Sequence, residues 1–571
     1  MTQKTWQEVC ERKRKEQAAS IPTEWLLPAL PPFATLNVLD MPRTCGLLTW
    51  NELLITELDD VGTLLKKIAL GDWSAVEVTT AFAKRACIAH QLTNCLTEIF
   101  VERALERARW LDDYLEAEGK PFGPLHGLPI SLKDQFCIKG LDTVMGYAAW
   151  VGEPAEKDCA LVEMLISLGA IPYVRTNVPQ TLMWGETYNN VYLRTVNPYN
   201  RLLTPGGSSG GEGALLALRG SPLGVGTDIG GSVRIPSTWC GLYGLRPSYN
   251  RFPYEGAKNS LEGFETVPSV LGPMSHSVAA LKVFARALVE ARPWDKDPVV
   301  VRKPWNAREE RLEEHGDGKK MCFGILWDDG LVRVHPPVWR ALQMAKEAVE
   351  RAGHKVMEWK PYKSSEICSV MNQIFLADGG HDFRAHTTSI PPHEPLLTTM
   401  SPRPGSPYHS PASLPGQDEP LESALLLPSA PLAIYELYAL HKQKRQLLKG
   451  FLDTWLSTSS QTGTGRPIDA ILAPVMATPA PPHGRNAWDF YCEYWNIVDA
   501  PCVVLPVTTV DAGVDGREEK WEYRCAEEKI VHELYEPERF EGMPVGIQVV
   551  GRKLEEEAVL SIAQLVDDAL K

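Results

Sequence analysis

The sequence lacks the features of a membrane or secreted protein. No apolar run approaches the roughly 20 residues that a membrane-spanning helix requires. Charged side chains are spread through residues 1–30, so this stretch does not have the apolar core of a secretory signal peptide. We therefore expect no transmembrane segment and a cytoplasmic location.

Positive charge is also in short supply. The chain of 571 residues has 58 Lys and Arg against 72 Asp and Glu, which gives a formal net charge of −14. Because an acidic surface repels the phosphates of nucleic acid, we expect no nucleic-acid partner.

Closely spaced cysteine pairs are missing as well. The twelve cysteines are scattered from Cys10 to Cys525, with no CxxC motif. In a long chain expected in a reducing compartment, such cysteines act as small buried apolar side chains. We therefore predict no structural disulfide bonds.

What the sequence does contain is an α/β pattern. Short apolar or β-branched runs, which are typical of buried strands, alternate with helical segments. The strand-like runs are residues 127–132, 170–174, 322–326, 470–473, 503–505 and 545–550. Helices are predicted near 61–68, after the capping box at 74–77 and over 338–352.

The chain is predicted to divide into an N-terminal arm, residues 1–60, and one domain, residues 61–571. The arm has a charged helical start, a proline-rich break and an amphipathic approach to the body. Within the domain, residues 389–431 are rich in Pro, Ser, His and Gly, and stretches such as 401–408 can form neither a helix nor a central strand. Such a loop is either a lid beside a site or a surface insertion, and we favour the surface insertion.

Glycine is concentrated in residues 204–236, which include the segments TPGGSSGGEGAL and GVGTDIGGSVRIP. Closely spaced glycines let backbone N–H groups converge on a phosphate or on the oxyanion of an acyl-transfer reaction. The segment has neither the Gly-Lys-Ser/Thr of a P-loop nor a G-x-G-x-x-G between a strand and a helix. An oxyanion hole is therefore favoured over a nucleotide site.

The same segment contains several candidate serine nucleophiles, which need a base. Residues 207–211 match the G-x-S-x-G pattern and would select Ser209, but a loop rather than a buried strand precedes them. His126 is the one histidine of 13 in a motif-like context, whereas Lys133 directly follows a strand-like run, where a dry site favours the neutral amine. These residues favour Lys133 as the base and leave the attacking serine open.

Three segments resemble the motifs of the amidase signature family. They are GLPISLKD (127–134), GGSSGGEG (206–213) and TDIGGSVRIP (227–236). The 75 residues from Lys133 to Ser208 and the 24 from Ser208 to Ser232 are similar to the spacing of that family's Ser-Ser-Lys triad. Similarity to its fungal acetamidase branch extends from the arm to residues 542–552.

The resemblance implies an amidase-signature fold, in which a large mixed β-sheet is flanked by helices on both faces and preceded by a helical arm. Residues 61–571 would be the catalytic domain. Ser232 would be the acyl-forming nucleophile, Ser208 the proton relay on a cis peptide bond, and Lys133 the base. A useful base requires burial to lower the pKa of Lys133 from about 10.4 to about 7 or 8.

The resemblance also implies an oxyanion hole and a position in the acyl site. The hole would consist of the backbone N–H groups of Ile229, Gly230, Gly231 and Ser232. Leu182 would line the acyl site. The residues themselves suggest that Asp228 and Arg234 pair to brace the nucleophile loop, and that Glu212 caps a helix.

The predicted function is hydrolysis of a carboxylic amide to a carboxylate and ammonia or an amine, on acetamide-like or other small to medium amides. No metal and no organic cofactor is expected. The expected partner is a small-molecule amide, and a homodimer is left open. The alternatives are a fatty-acid or biosynthetic amide hydrolase of the same family, a glutaminase-type amidotransferase subunit, and a silent binding protein, which the complete triad disfavours.

Overall fold

A mixed β-sheet forms the centre of the protein, whose computed structural model describes residues 4–32, 34–397, 430–519 and 521–571. Within these ranges the sheet has eleven strands. They are β1 (Leu96–Ile99), β2 (Pro129–Lys133), β3 (Ile171–Thr176), β4 (Leu223–Asp228), β5 (Tyr243–Arg246), β6 (Val270–Ser275), β7 (Cys322–Ile325), β8 (Lys355–Glu358), β9 (Ala470–Pro474), β10 (Cys502–Thr509) and β11 (Pro544–Val550).

Helices cover the sheet on both faces, which confirms the predicted α/β class. In the described ranges they are α1 (Trp6–Ala19), α2 (Met41–Thr44), α3 (Trp50–Thr56), α4 (Val61–Ala69), α5 (Ala75–Thr93), α6 (Val101–Glu118), α7 (Ala160–Ser167), α8 (Gly210–Ala217), α9 (Arg234–Trp239), α10 (Val278–Glu290), α11 (Ala307–Glu310), α12 (Pro336–Arg351), α13 (Ser364–Phe375), α14 (His381–Thr387), α15 (Ile434–Ser457), α16 (Ser459–Thr462), α17 (Phe490–Ile497), α18 (Ala526–Leu534) and α19 (Glu556–Leu570). Within the same ranges, no helix combines the length and apolar character that a membrane crossing requires.

The strand order is β1-β3-β2-β4-β6-β5-β10-β11-β9-β7-β8. β2 runs parallel to β3 and β4, and β7 runs parallel to β8 and β9, whereas the other neighbours are antiparallel. Because β2 and β4 are parallel neighbours, their carboxyl ends lie side by side. This edge positions the candidate site.

Local sequence signals explain where the helices begin. The Ser74 hydroxyl accepts the Glu77 N–H at 3.0 Å, and the Glu77 carboxylate accepts the Ser74 N–H at 2.8 Å. This capping box satisfies two backbone donors at the start of α5, as predicted. The predicted helices at 61–68 and 338–352 correspond to α4 and α12.

The N-terminal arm is anchored to the body by charged contacts. Lys13 Nζ lies 2.6 Å from Glu98 Oε1 and 2.9 Å from Asp142 Oδ2. The division into an arm and one domain stays a prediction. The proline-rich stretch 389–431 falls mostly outside the described residues.

Candidate active site

Lys133 is the last residue of β2, and Thr227 lies near the end of the neighbouring strand β4. Lys133 Nζ lies 2.7 Å from Ser208 Oγ and 2.7 Å from Thr227 Oγ1, and the lysine is fully buried. Burial lowers the pKa of Lys133 to about 7, although the negative charges of Asp228 and Glu212 act to raise it. A substantial share of Lys133 is therefore the free amine at neutral pH.

A chain of hydrogen bonds orients this amine. The Thr227 hydroxyl donates to Gln135 Oε1 at 2.6 Å, so its oxygen is left to accept an N–H from Lys133. Gln135 is fixed in turn, because its Nε2 donates to Tyr254 Oη at 2.8 Å. With one N–H held by Thr227, the neutral amine can direct its lone pair at the Ser208 hydroxyl. Thr227 and Gln135 could not be singled out from the sequence, because their contacts form only when β2 and β4 pair.

The two predicted triad serines lie on adjacent loops. The Gly207–Ser208 peptide bond is cis. The Ser209 N–H donates to the Ser232 carbonyl at 3.2 Å, which places Ser232 beside the residue that follows Ser208. The Ser232 hydroxyl has no hydrogen-bond partner among the described residues and faces a cavity. The structure therefore brings Lys133 and Ser208 into direct contact, with Ser232 next to them.

Ser209 and His126 have other roles. Ser209 is buried, and its hydroxyl lies 3.3 Å from the Thr227 backbone nitrogen and 3.4 Å from the Thr227 carbonyl oxygen. His126 Nδ1 accepts the N–H of Phe122 at 3.0 Å. Both residues therefore make local backbone contacts, and neither contact supplies a nucleophile with a base.

The loop after β4 contributes Ile229, Gly230 and Ser232 to the lining of the cavity. The Gly231 N–H donates to Asp228 Oδ1 at 2.8 Å, so this donor is already occupied. The N–H groups of Ile229, Gly230 and Ser232 have no hydrogen-bond acceptor within the described ranges. Three of the four predicted oxyanion donors are thus available.

Gly231 is required where it stands. Its φ of +128° is rarely adopted by residues with a side chain, and a Cβ there would lie 2.6 Å from Cys492 Cβ. The glycine therefore allows the nucleophile loop to pack directly on α17.

A buried ion pair braces the loop that carries Ser232, as predicted. Arg234 Nε and Nη2 each donate to the Asp228 carboxylate at 2.9 Å, and both side chains are fully buried. Arg234 also donates to the Cys492 carbonyl, Asn496 and Gln548. Burial alone would raise the pKa of Asp228, but Arg234 holds it well below its usual range. The pair therefore stays ionised and connects β4, α9, α17 and β11.

Replacing Asp228 by alanine is expected to lower the free energy of unfolding by about 3–5 kcal/mol, because a buried arginine loses its counter-charge. Denaturant unfolding measures this change. Asp59→Ala is the control, since the exposed Asp59–Arg219 pair should contribute no more than about 1 kcal/mol. Equal losses in the two variants would contradict the bracing role of Asp228.

Glu212 does not cap its helix through the backbone. It lies in the first turn of α8, but its carboxylate accepts hydrogen bonds from Ser131 Oγ at 2.6 Å and Thr176 Oγ1 at 2.9 Å. Glu212 therefore has a structural role, but it connects α8 to β2 and β3 instead of capping the helix.

The cavity at Ser232 is small. It has room for roughly two or three water molecules. It is lined by Leu182, Met183, Trp184, Gly185, Ile229, Gly230, Ser232, Ile235, Phe375, Asp489 and Glu493. Leu182, which the resemblance implies lines the acyl site, is among these residues. No group of three or more His, Cys, Asp and Glu side chains in the described part of the chain is arranged to hold a metal ion.

Comparison with known proteins identifies the family of the chain. The family model described as Amidase matches residues 77–560, which include all three predicted triad residues. The chain belongs to the amidase signature family. This amidase is a hydrolase that acts on amide bonds.

Individual relatives resemble the amidase over its whole length. It is 39% identical to the Acetamidase of Aspergillus oryzae over 100% of both chains. It is 40% identical to the Acetamidase of Emericella nidulans over 99% of this chain and 98% of the relative. A solved structure of a Fatty acid amide hydrolase matches with a TM-score of 0.86 and 33% identity, covering 99% of this chain and 95% of that one. The predicted family and fold are confirmed.

Proposed function

We propose that this amidase hydrolyses small primary carboxamides such as acetamide through an acyl-Ser232 intermediate. The observation that supports this proposal best is the 2.7 Å contact of a buried Lys133 with Ser208, beside a Ser232 that faces a small cavity. The two relatives named Acetamidase support the substrate class.

In the proposed acylation step, the Ser232 hydroxyl attacks the carbonyl carbon of the amide. Its proton passes to Ser208, which gives its own proton to Lys133 Nζ. The carbonyl oxygen becomes an oxyanion and accepts N–H groups of the loop after β4. Each such donor contributes about 2.7–4 kcal/mol of transition-state stabilisation.

The intermediate then collapses. The C–N bond breaks, and the proton on Lys133 returns through Ser208 to the leaving nitrogen, so that ammonia departs and an acyl ester remains on Ser232. Water attacks this ester through the same relay. The products are one carboxylic acid and one ammonia for each amide and water consumed.

The small cavity limits the acyl group. Leu182, Ile235 and Phe375 line it, and the space that they enclose is small. A long acyl chain would have to extend out of this cavity through its open side. The geometry therefore favours an acetamide-like substrate over the fatty-acid amides.

A series of primary amides tests this proposal. We expect kcat/KM to be highest for acetamide or propionamide and to fall by about tenfold or more by hexanamide, because the added methylenes exceed the small enclosed space of the cavity. Oleamide and glutamine belong in the same series, since they represent the fatty-acid and glutaminase alternatives. A kcat/KM that rises with chain length, or is highest for glutamine, would contradict the proposed substrate class.

A further inference from the structure

Two carboxyl groups face the cavity that contains Ser232. Asp489 immediately precedes α17, and Glu493 lies one helical turn later on the same side. They are the only ionisable side chains among the described residues that line this cavity. The relay through Lys133 and Ser208 does not use them.

Glu493 lies against the proposed oxyanion hole. A Cβ added to Gly230 would be 3.4 Å from Glu493 Cγ and 3.6 Å from Glu493 Oε1. Asp489 lies against the opposite loop, because a Cβ on Gly185 would be 2.9 Å and 3.0 Å from its two carboxylate oxygens. The two acids are therefore within the space that a substrate bound to Ser232 must share.

Most of the hydrogen-bonding capacity of these acids is unused. Asp489 Oδ1 accepts a hydrogen bond from Asn486 Nδ2 at 2.6 Å. Asp489 Oδ2 and both oxygens of Glu493 accept none from the described residues. Both side chains are partly exposed, so hydrogen-bond donors for these three oxygens come from whatever occupies the cavity. A substrate that brings N–H donors would supply them.

The protonation of Asp489 and Glu493 also favours the binding of N–H donors. Burial, together with the neighbouring Asp489, raises the pKa of Glu493 to about 8, and Arg234 opposes this change. Burial raises the pKa of Asp489 to about 6, with Asn486 acting against it. Near pH 7 the pair therefore holds about one proton and is rich in acceptor oxygens.

We propose that Asp489 and Glu493 bind the nitrogen of the scissile amide and make the enzyme selective for primary amides. The –NH2 group has two N–H donors and fits two acceptor carboxyl groups. The alkoxy oxygen of an ester has no N–H and would leave them unpaired, and the extra alkyl group of an N-alkyl amide would fill their space. This inference deepens the proposed function and rests on it.

The test compares a primary amide with the methyl ester of the same acid, using the acyl group that the amide series ranks highest. Glu493→Leu should lower kcat/KM for the amide by about tenfold to a hundredfold and change kcat/KM for the ester by no more than about threefold. Glu493→Gln retains an acceptor oxygen and should stay within about threefold of wild type on the amide. Asp489→Asn should likewise reduce the amide-to-ester ratio less than Asp489→Leu.

Two control variants separate this role from a structural one. Phe375→Leu removes part of the apolar wall and should change kcat/KM for the amide and for the ester by the same factor. Glu533 is exposed, so Glu533→Gln should change neither value. Equal losses on amide and ester in Glu493→Leu would overturn the subsite. The acyl group used in this test is the one that the amide series ranks highest. A preference for long amides would therefore contradict the proposed substrate size, but the roles of Asp489 and Glu493 could still be tested.

Discussion

Replacement of Lys133 by methionine or alanine is expected to lower the acylation rate by about 100-fold to 10,000-fold, the usual contribution of general acid–base catalysis. The amine is the only basic group that contacts Ser208 in the described structure, at 2.7 Å. Methionine preserves the volume of the buried stem, so the fold should be retained. Single-turnover kinetics with acetamide, together with circular dichroism, measures both properties.

The pH dependence follows from the same group. Burial lowers the pKa of Lys133 to about 7, and only the unprotonated amine can accept a proton. For the wild type, kcat/KM should therefore fall about tenfold per pH unit below that value and level off above it. The residual kcat/KM of Lys133→Met should not fall in this way below pH 7. The exposed Lys139→Ala should retain the wild-type profile, and near-wild-type turnover by Lys133→Met would refute the base assignment.

Replacement of Ser232 by alanine should have the largest effect. Without the nucleophile no acyl ester can form, and kcat should fall by about 10,000-fold or more. A fluorophosphonate probe, which reacts with activated serines, should label the wild type and fail to label Ser232→Ala. Mass spectrometry of the labelled protein identifies the modified serine.

The neighbouring serines provide matched comparisons. Ser208→Ala removes the proposed relay but leaves the nucleophile, so labelling should become slow rather than absent. Ser209→Ala removes only hydroxyl contacts with the Thr227 backbone and should be labelled normally. Labelling at Ser209 in Ser232→Ala would instead support the G-x-S-x-G interpretation.

Much of the fold could be predicted because its signals are local. The run 127–132 predicted β2, and the box at 74–77 predicted α5, since each depends on neighbouring side chains. The strand β4 was not predicted, because Gly224 and Gly226 interrupt the β-branched pattern. Its extended shape depends on pairing with β2 and β6.

The candidate site was predicted unevenly for a similar reason. Motif spacing and the family resemblance pointed to Lys133, Ser208 and Ser232. In the structure Lys133 contacts Ser208, and the Ser232 carbonyl accepts the Ser209 N–H, so the triad stays a prediction. Asp489 and Glu493 follow Ser232 by more than 250 residues in an aromatic segment with no motif, so their position depends on how α17 packs. The sequence also does not show that the Gly231 N–H is already bound to Asp228, because this hydrogen bond depends on the geometry of the loop.

The partners of Arg234 bear on how the enzyme is made in the cell. Arg234 lies beneath the loop that carries Ser232 and contacts Cys492 and Asn496 of α17. It also contacts Gln548 of β11, the strand that lies between β10 and β9 in the sheet. Lys133, Ser208 and Ser232 of a nascent chain therefore leave the ribosome before Cys492, Asn496 and Gln548, which hold the loop through Arg234. Activity should appear only when translation is almost complete, so truncated chains should be inactive although they contain the whole triad.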